Sequence, residues 1–301
     1  MLHLAHLSDP HLGPMPAAGF GPLLSKRITG YLSWKLNRHN VHQPHVLEAL
    51  LADIKSAGVH QIAVTGDLVN IALPAEFPRA QKWLEGIGSP ADVALVPGNH
   101  DAYVPIIWKL GQGLWQPFMS GEAAVPGKPE GTIFPYIRLR RNVALIGVSS
   151  AIETFPFQAS GALGATQLDL LDQTLKRLRD QGFFRVLLIH HPPLPGQATT
   201  RKALKDASQL EEILKTQGAE LVLHGHNHRH MHEKLASPYG PVHIFGVPSA
   251  SAVETEHKPA AAWNMYTIAR QSGKWSCTVT IRGFNEKQQS FHELKNFELY
   301  P

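Results

Sequence analysis

Five short apolar segments of this chain each end in residues that commonly bind metal ions. The segments are HLAHLSDPH, IAVTGD, VALVPGNHD, RVLLIHH and LVLHGHNH. A short apolar run bounded by Gly or Pro is typical of a buried strand. In open α/β sheets, ligands bind beyond the carboxyl ends of such strands. We therefore expect the polar ends of these five strands to converge at one place.

The polar residues at these strand ends form the candidate site, and they are Asp9, His11, Asp67, Asn99, His100, Asp101, His190, His191, His226 and His228. Residues two apart on an extended segment point the same way, so Asp9 and His11 can bind one ion together. Nitrogen and oxygen donors without a thiolate suit Mn, Fe or Zn ions better than a structural zinc site. A set of about seven ligands suits two ions that share a carboxylate, as in phosphoryl displacement. The pattern therefore predicts a metal-dependent hydrolase.

The composition is that of a globular protein, since 43% of the 301 residues are hydrophobic and 17% are charged. This length allows one large α/β domain. The single cysteine, Cys277, excludes an intrachain disulfide and a cysteine-based zinc cluster, and a chain without disulfides fits the cytoplasm. No apolar run approaches the roughly 18 residues that cross a bilayer, and the N-terminus lacks the pattern of a signal peptide. We expect a cytoplasmic protein.

The order of apolar patterns along the chain predicts an α/β fold. Apolar residues recur at helical spacing in three segments, which are 45–58, 75–87 and 166–182. After His228 the sequence alternates apolar and polar residues as antiparallel strands do, with a hairpin that turns at 272–273. We assign residues 1–285 to one domain with an insert at about 14–44, and we expect 286–301 to be a polar C-terminal tail.

The motifs D-x-H, G-D-x-x-N, G-N-H-D, H and G-H-x-H occur in this order over roughly residues 1–235. In this set and order they resemble the calcineurin-like metallophosphoesterases, a superfamily of dinuclear phosphoesterases. One such motif is a weak signal, whereas five in order make chance a poor explanation. The resemblance implies a four-layer α/β/β/α sandwich with mixed sheets. It also implies two divalent metal ions (Mn, Fe or Zn) that share a bridging hydroxide as the nucleophile.

Carried over residue by residue, the resemblance implies two groups of metal ligands. The first ion would be bound by Asp9, His11 and His228, the second by Asn99, His190 and His226, and both by Asp67. His100 would protonate the leaving group or stabilise the phosphoryl oxygens, so His100 and Asn99 are also the candidate substrate-binding residues. Asp101 would orient the His100 ring. His190 and His191 are adjacent, so only one of them should face the metal, and the resemblance favours His190.

The insert combines apolar residues with cations, and no acidic residue lies between Asp9 and Glu48. A basic segment beside a site attracts anions such as phosphate esters, nucleotides or an anionic lipid surface, although a solvated segment with incidental cations has the same composition. One interpretation is a lid that meets acyl chains and lipid headgroups, which would place the protein peripherally at the inner membrane. The other is a local cap beside the cleft, with Trp34 as its anchor.

The metal motifs indicate phosphoester hydrolysis but allow several substrates. Length and motif style are most similar to bacterial phosphodiesterases, including the class III cyclic nucleotide phosphodiesterases, so the expected substrate is a small phosphodiester or nucleotide. The UDP-2,3-diacylglucosamine pyrophosphatases share the motifs and are the alternative. A non-catalytic scaffold of the same fold is a further alternative, but such chains usually lack ligands that are all present here. No specific nucleic-acid partner is expected, because we find no basic groove interleaved with aromatic residues.

Overall fold

The computed structural model of the chain describes residues 1–18, 21 and 25–300. Its strands are β1 (Leu2–Leu7), β2 (Gln61–Val64), β3 (Val93–Leu95), β4 (Tyr136–Arg140), β5 (Val143–Gly147), β6 (Phe184–Leu188), β7 (Leu221–His224), β8 (Met231–Leu235), β9 (Val242–Gly246), β10 (Ala262–Gln271), β11 (Lys274–Asn285) and β12 (Ser290–Tyr300). Its longer α-helices are α1 (Arg27–Ser33), α2 (Pro44–Ser56), α3 (Glu76–Ile87), α4 (Ala165–Asp180) and α5 (Ala207–Gln217). Within these described ranges, no helix has both the length and the apolarity needed to cross a membrane.

The strands form two mixed sheets of six strands each. The first sheet has the order β12-β11-β10-β1-β2-β3, and the second has the order β4-β5-β6-β7-β9-β8. The strands β1, β2 and β3 are parallel in the first sheet, and β5, β6, β7 and β9 are parallel in the second. Parallel neighbours need a crossover, usually a helix, which explains the alternation of strands and helices in the first two thirds of the chain.

The two sheets face each other, and helices cover their outer faces. On β5, Val143 and Leu145 join an apolar core that also contains residues of the first sheet. Ala144 and Ile146 of the same strand join a second core together with α4 and α5. Successive side chains of a strand point to opposite faces, so both faces of these strands are buried and their sequences are continuously apolar. The predicted four-layer α/β/β/α sandwich is confirmed.

The predicted helices and the predicted hairpin are present. Helix α2 begins with Pro44, whose fixed φ suits the first turn, and Gly58 follows its end with φ +65°. The side chains that α2 buries recur at helical spacing and are Val46, Leu47, Leu50 and Ile54. In the hairpin, β10 and β11 pair up to Gln271 opposite Lys274, so the chain turns at 272–273 as predicted.

The C-terminal segment differs from the polar tail that we expected. Ser290–Tyr300 forms β12, which pairs antiparallel with β11 at the edge of the first sheet. Phe291 is buried and packs into the core that the two sheets share, whereas most of the strand is exposed. An edge strand has few apolar neighbours, and polar side chains on it discourage pairing with other chains. The polarity of this segment therefore reflects its edge position.

The insert forms α1, then one π-helical turn at Trp34–Arg38 and a short helical turn that ends at Val41. Leu23 and Leu24, part of the apolar pattern of the insert, lie outside the described residues. Arg27 donates hydrogen bonds to the carbonyl oxygens of Ile71 (3.2 Å) and Ala72 (2.6 Å). These bonds hold the insert against the loop that follows β2.

Candidate active site

The five predicted strand ends meet at one edge of the sandwich. The loops after β1, β2 and β3 of the first sheet and after β6 and β7 of the second deliver, in that order, Asp9, Asp67, Asn99, His190 and His226. All five strands run parallel within their sheets, so their carboxyl ends share an edge. The backbone N–H of Asp9 donates to the carbonyl oxygen of Gly66 at 3.0 Å, which ties the first two loops together.

Five of the predicted ligands have left-handed backbone angles, and they are Asp9 (φ +53°), His11 (φ +40°), Asp67 (φ +57°), His226 (φ +68°) and His228 (φ +51°). Such conformations cost about 1–3 kcal/mol each for residues with a Cβ, and they cluster at functional sites. Neighbouring glycines give the carboxylates room. A Cβ on Gly98 would collide with the carboxylate of Asp67, and one on Gly225 would collide with that of Asp9. The fold therefore holds these side chains in directions that the isolated backbone disfavours.

Asp9, His11 and His228 form one group of donors next to Asp67. His228 Nε2 lies 3.0 Å from Asp9 Oδ1 and 3.4 Å from His11 Nε2. His11 Nε2 lies 4.0 Å from Asp9 Oδ1 and 3.9 Å from Asp67 Oδ2. Ligand bonds of about 2.0–2.2 Å place neighbouring ligand atoms about 3–3.5 Å apart, so this spacing is close to that of a divalent-ion site.

Asn99, His190 and His226 form a second group of donors. Asn99 Oδ1 lies 2.9 Å from His226 Nδ1 and 3.2 Å from His190 Nε2, and the two nitrogens are 3.3 Å apart. His190 Nε2 also lies 3.4 Å from Asp67 Oδ2. The same Asp67 oxygen thus faces His11 of the first group and His190 of the second, which is the position of a shared ligand.

The two adjacent histidines of the RVLLIHH segment face different surroundings. His190 donates from Nδ1 to the carbonyl oxygen of Thr65 (2.6 Å), which leaves its Nε2 towards Asp67. His191 Nδ1 lies 2.8 Å from Ser150 Oγ, and its Nε2 lies 3.1 Å from the carbonyl oxygen of Ala159. A backbone acceptor on one ring nitrogen fixes the tautomer and orients the other nitrogen for a metal. The geometry therefore favours His190 as the ligand.

Burial and charge make this site attractive to cations. Asp9 and Asp67 are 0% and 2% exposed. Burial alone would raise the pKa of Asp9, but His228, His190 and Ser8 together hold that pKa well below its usual range. Burial alone would lower the pKa of His190, but Asp67, Asp9 and the carbonyl oxygen of Thr65 together raise it to about 9. His226 Nε2 is buried and has no hydrogen-bond partner among the described residues. Buried carboxylates with imidazole and amide donors fit two divalent metal ions.

His100 lies beside these two groups of candidate metal ligands. Its backbone N–H donates to Asp67 Oδ1 at 2.7 Å, its Nδ1 donates to the carbonyl oxygen of Asn70, and its ring stacks on Tyr103 at 5.5 Å. Burial and the Arg38 guanidinium lower the pKa of His100 to about 4. The ring is therefore neutral near pH 7, and its Nε2 is the nitrogen left to face a substrate.

Asp101 does not contact the His100 ring, contrary to our expectation that it would orient this ring. Its carboxylate accepts four backbone N–H bonds of 2.8–3.1 Å, from Asp67, Leu68, Val69 and Gly98. Asp101 is adjacent to His100 in the chain, but the backbone turns its side chain into the protein, where it is fully buried. It holds the Asp67 loop against the Asn99 loop and reaches the site only through the backbone.

Two residues that the strand motifs did not identify, both in the insert, reach the site. The Arg38 guanidinium lies 2.9 and 3.0 Å from the two ring nitrogens of His11 and 3.3 Å from His100 Nε2. The second residue is His42. One of its ring nitrogens lies within 4.8 Å of a ring nitrogen of His11 and of His228. His42 Nδ1 lies 2.9 Å from Ser251 Oγ, which orients the ring. The basic character of the insert was the only sequence signal for these contacts.

The donors lie at the bottom of a cleft of about 500 Å³. Its other walls come from the insert, the loop after β3, the 157–159 segment and two later loops. Their residues include Lys26, Arg38, Tyr103, Phe157, Lys202 and Lys258. A cleft with convergent polar groups and perturbed pKa values is the expected location of an active site. The fold and the donor set together define a metal-dependent hydrolase centre.

The chain belongs to the calcineurin-like phosphoesterase family, whose pattern it matches over residues 2–230. It is similar to a probable cyclic nucleotide phosphodiesterase of Synechococcus sp., with 28% identity over 234 residues that cover 77% of this chain and 80% of the relative. A second probable cyclic nucleotide phosphodiesterase, from Synechococcus sp. strain WH7803, is 37% identical over 93 residues, which cover 30% of this chain and 35% of that protein.

Solved structures share the fold at low sequence identity. A dimetal phosphatase from Danio rerio has a TM-score of 0.66 and 11% identity, and the match covers 99% of this chain and 98% of that one. A purple acid phosphatase from yellow lupin has a TM-score of 0.57 and 10% identity, with 99% and 53% coverage. At such identities the similarity establishes the fold alone.

Proposed function

We propose that this protein hydrolyses a phosphodiester with two divalent metal ions. The observation that carries the proposal is the pair of donor groups that share Asp67. In this proposal the first ion is bound by Asp9, His11 and His228, the second by Asn99, His190 and His226, and Asp67 bridges them. Bound divalent ions would lower the pKa of water towards neutrality and neutralise charge on the phosphoryl oxygens.

The residues around the donors would position the scissile phosphate. Asn99 lies within the cleft and can orient the substrate as well as bind metal. His100 presents Nε2 to the same space, and an anionic phosphate beside it would raise the pKa of its ring. In this position His100 can donate a hydrogen bond or a proton to a leaving oxygen. Residues of the insert form one wall of the cleft.

Cyclic nucleotides are the first substrate class that we propose. The relative from Synechococcus sp. that matches most of this chain is named as a probable cyclic nucleotide phosphodiesterase. The cleft volume of about 500 Å³ is in the range of small-molecule sites, and Tyr103 offers an aromatic surface beside His100.

A lipid-linked phosphoester, such as UDP-2,3-diacylglucosamine, is the second candidate. Ile28, Leu32 and Leu36 of the insert are 49%, 52% and 72% exposed, and Phe157 at the wall of the cleft is 77% exposed. Spacing of four residues places Ile28 and Leu32 on one side of α1. Exposed apolar residues beside a phosphoester site offer a surface for acyl chains.

The test compares three substrates with the Mn-loaded protein: bis(p-nitrophenyl) phosphate, 3′,5′-cyclic AMP and UDP-2,3-diacylglucosamine. We expect metal-dependent turnover of a diester, with no turnover by Asp67→Ala or Asn99→Ala because each removes a ligand. His100→Ala should lower turnover strongly and leave the metal content unchanged. Asp169→Ala, at an exposed site on α4, is the matched control and should match the wild type.

Two results would contradict the proposal. One is unchanged turnover in Asp67→Ala, which would show that Asp67 is not a ligand shared by two metal ions. The other is a purified protein that binds neither Mn, Fe nor Zn in stoichiometric amounts, which would favour a non-catalytic scaffold. If the wild type prefers UDP-2,3-diacylglucosamine and Leu32→Ser loses this preference, the substrate is the lipid-linked phosphoester and not the cyclic nucleotide.

A further inference from the structure

The cleft contains more positive charge than the scissile group of a simple diester needs. Lys26, Arg38, Lys202 and Lys258 line it from three separate parts of the chain. Asp67, a candidate metal ligand, is the one carboxylate among the described lining residues. Two divalent ions with two buried carboxylates already leave a net positive charge for the reacting phosphate. The additional cations therefore need another explanation.

Lys26 is held by contacts within the protein. Its Nζ donates to Thr154 Oγ1 at 2.7 Å and to the carbonyl oxygen of Gln158 at 3.3 Å. The same ammonium lies 4.4 Å above the ring of Tyr103. These contacts join the insert to the 154–158 loop, so a structural role accounts for Lys26.

In the part of the chain that the structure describes, Lys202 and Lys258 make no such side-chain contacts, and Arg38 contacts the rings of His11 and His100 inside the cleft. Among the described residues, none of the three has a carboxylate partner within 4.0 Å. Lys258 is half-buried, and burial together with the charges of Lys202, Arg38 and Arg229 lowers its pKa to about 8, even though Asp9 favours its charged form. Like charges that crowd together without a partner destabilise one another, and a bound anion would relieve this repulsion.

The backbone of the insert turns Arg38 towards the cleft. The π-helical turn at Trp34–Arg38 inserts an extra residue into the helical path. Leu36 of this turn is exposed, whereas Arg38 reaches the rings of His11 and His100. A guanidinium is a planar fork that suits phosphate oxygens, and π-helical turns frequently occur at functional sites.

We propose that Arg38, Lys202 and Lys258 form an anion subsite that binds a second phosphate group of the substrate. The proposal rests on the proposed phosphodiester hydrolysis and narrows its substrate class. The preferred substrate is then a diester that carries a further phosphate near the scissile one. Within the proposed class of cyclic nucleotides, 3′,5′-cyclic AMP has a single negative charge, so it engages the metal site but leaves this subsite without a ligand. The subsite therefore favours a nucleotide diester with a further phosphate over 3′,5′-cyclic AMP.

The test uses two chromogenic diesters that differ by one group. They are thymidine 5′-(p-nitrophenyl phosphate) and the same ester with a 3′-phosphate. We expect the Mn-loaded wild type to prefer the 3′-phosphorylated ester by about tenfold in kcat/KM, mainly through a lower KM, because charged hydrogen bonds to phosphate are strong. In Lys202→Ala/Lys258→Ala this preference should fall to nearly one. Lys205→Ala, an exposed lysine outside the cleft, should keep the full preference.

A binding measurement gives a readout that does not depend on turnover. By calorimetry, thymidine 3′,5′-bisphosphate should bind the wild type more tightly than thymidine 5′-phosphate does, and the double variant should lose this difference. Equal kcat/KM for the two esters in the wild type, or full preference in the double variant, would overturn the subsite. Failure of the metal-loaded wild type to hydrolyse either ester would instead contradict the proposed phosphodiesterase function.

Discussion

Asp67 and Asp101 are two buried carboxylates with different surroundings. Asp67 directs Oδ2 towards His11 and His190, whereas both carboxylate oxygens of Asp101 accept hydrogen bonds from backbone N–H groups. Sequence alone predicted ligand character for Asp67 because it follows an apolar strand. It also placed Asp101 next to His100, but adjacency in a turn does not determine the direction of a side chain. Only the backbone torsions of the loop decide which carboxylate faces the site.

Replacing Asp101 tests the view that it positions the Asp67 loop. Asp101→Asn replaces one acceptor oxygen with an NH₂ group, which cannot accept two of the four backbone N–H bonds. We expect a loss of about 2–4 kcal/mol in the free energy of unfolding in urea, together with at least a hundredfold fall in kcat. Asp169→Asn should have neither effect. An Asp101→Asn protein with the stability and kcat of the wild type would contradict the positioning role.

The insert is the element whose position the sequence left open. Its basic and apolar composition indicated contact with the cleft or with lipid, and the contacts of Arg27 and Lys26 attach it to the loops after β2 and β5. Gly30 faces the loops after β2 and β3, and a Cβ there would lie 2.6 Å from Ile71 Cγ2 and 2.7 Å from Tyr103 Oη. Helix α1 can therefore approach the cleft only because this position has no side chain.

The substitution Gly30→Ala should displace Tyr103 from its stacking position on His100. We expect a several-fold rise in KM for the diester, without the gain of about 0.5–1 kcal/mol that Ala usually gives over Gly in a helix. Gly86→Ala in α3 is the matched control, because a Cβ there meets no atom within 4 Å. This control should gain stability and keep its KM. An unchanged KM in Gly30→Ala would show that the insert does not need this close approach.

At the scale of the whole molecule, the site joins the two sheets. Its candidate ligands follow β1, β2 and β3 of one sheet and β6 and β7 of the other, so a bound metal ion would cross-link both halves of the sandwich. A ligand that binds only the folded state stabilises it, by about 2.7 kcal/mol at a hundredfold excess over Kd. Mn²⁺ should therefore raise the Tm of chelator-treated protein, and Asn99→Ala should show a much smaller rise. Equal rises in both proteins would place the metal elsewhere.

Buried histidines should make the metal-free protein sensitive to mild acid. Burial lowers the pKa of His6 to about 3 and that of His224 to about 4, so the unfolded chain, with pKa values near 6.5, binds their protons first. Stability contributed by the neutral rings is complete above pH 6.5 and declines as pH falls, by about 2 kcal/mol per histidine between pH 6.5 and 5.

Urea unfolding of chelator-treated protein across this pH range measures the effect. His6→Gln should reduce the pH dependence, because its side chain takes up no proton. His39→Gln, at an exposed site of the insert, should leave the dependence unchanged. A flat stability profile between pH 7 and 5 in the wild type would contradict the prediction.

The sequence by itself determined the strand ends, the donor types and the main helices, because apolar periodicity and ligand chemistry are properties of neighbouring residues. The tertiary structure decided what depends on distances between remote segments. It directed the His190 ring towards Asp67 through a hydrogen bond to Thr65, turned Asp101 away from the site, and brought Arg38 to His11. It also paired the polar C-terminal segment with β11 as an edge strand. Such contacts form between residues far apart in the chain, and no local pattern encodes them.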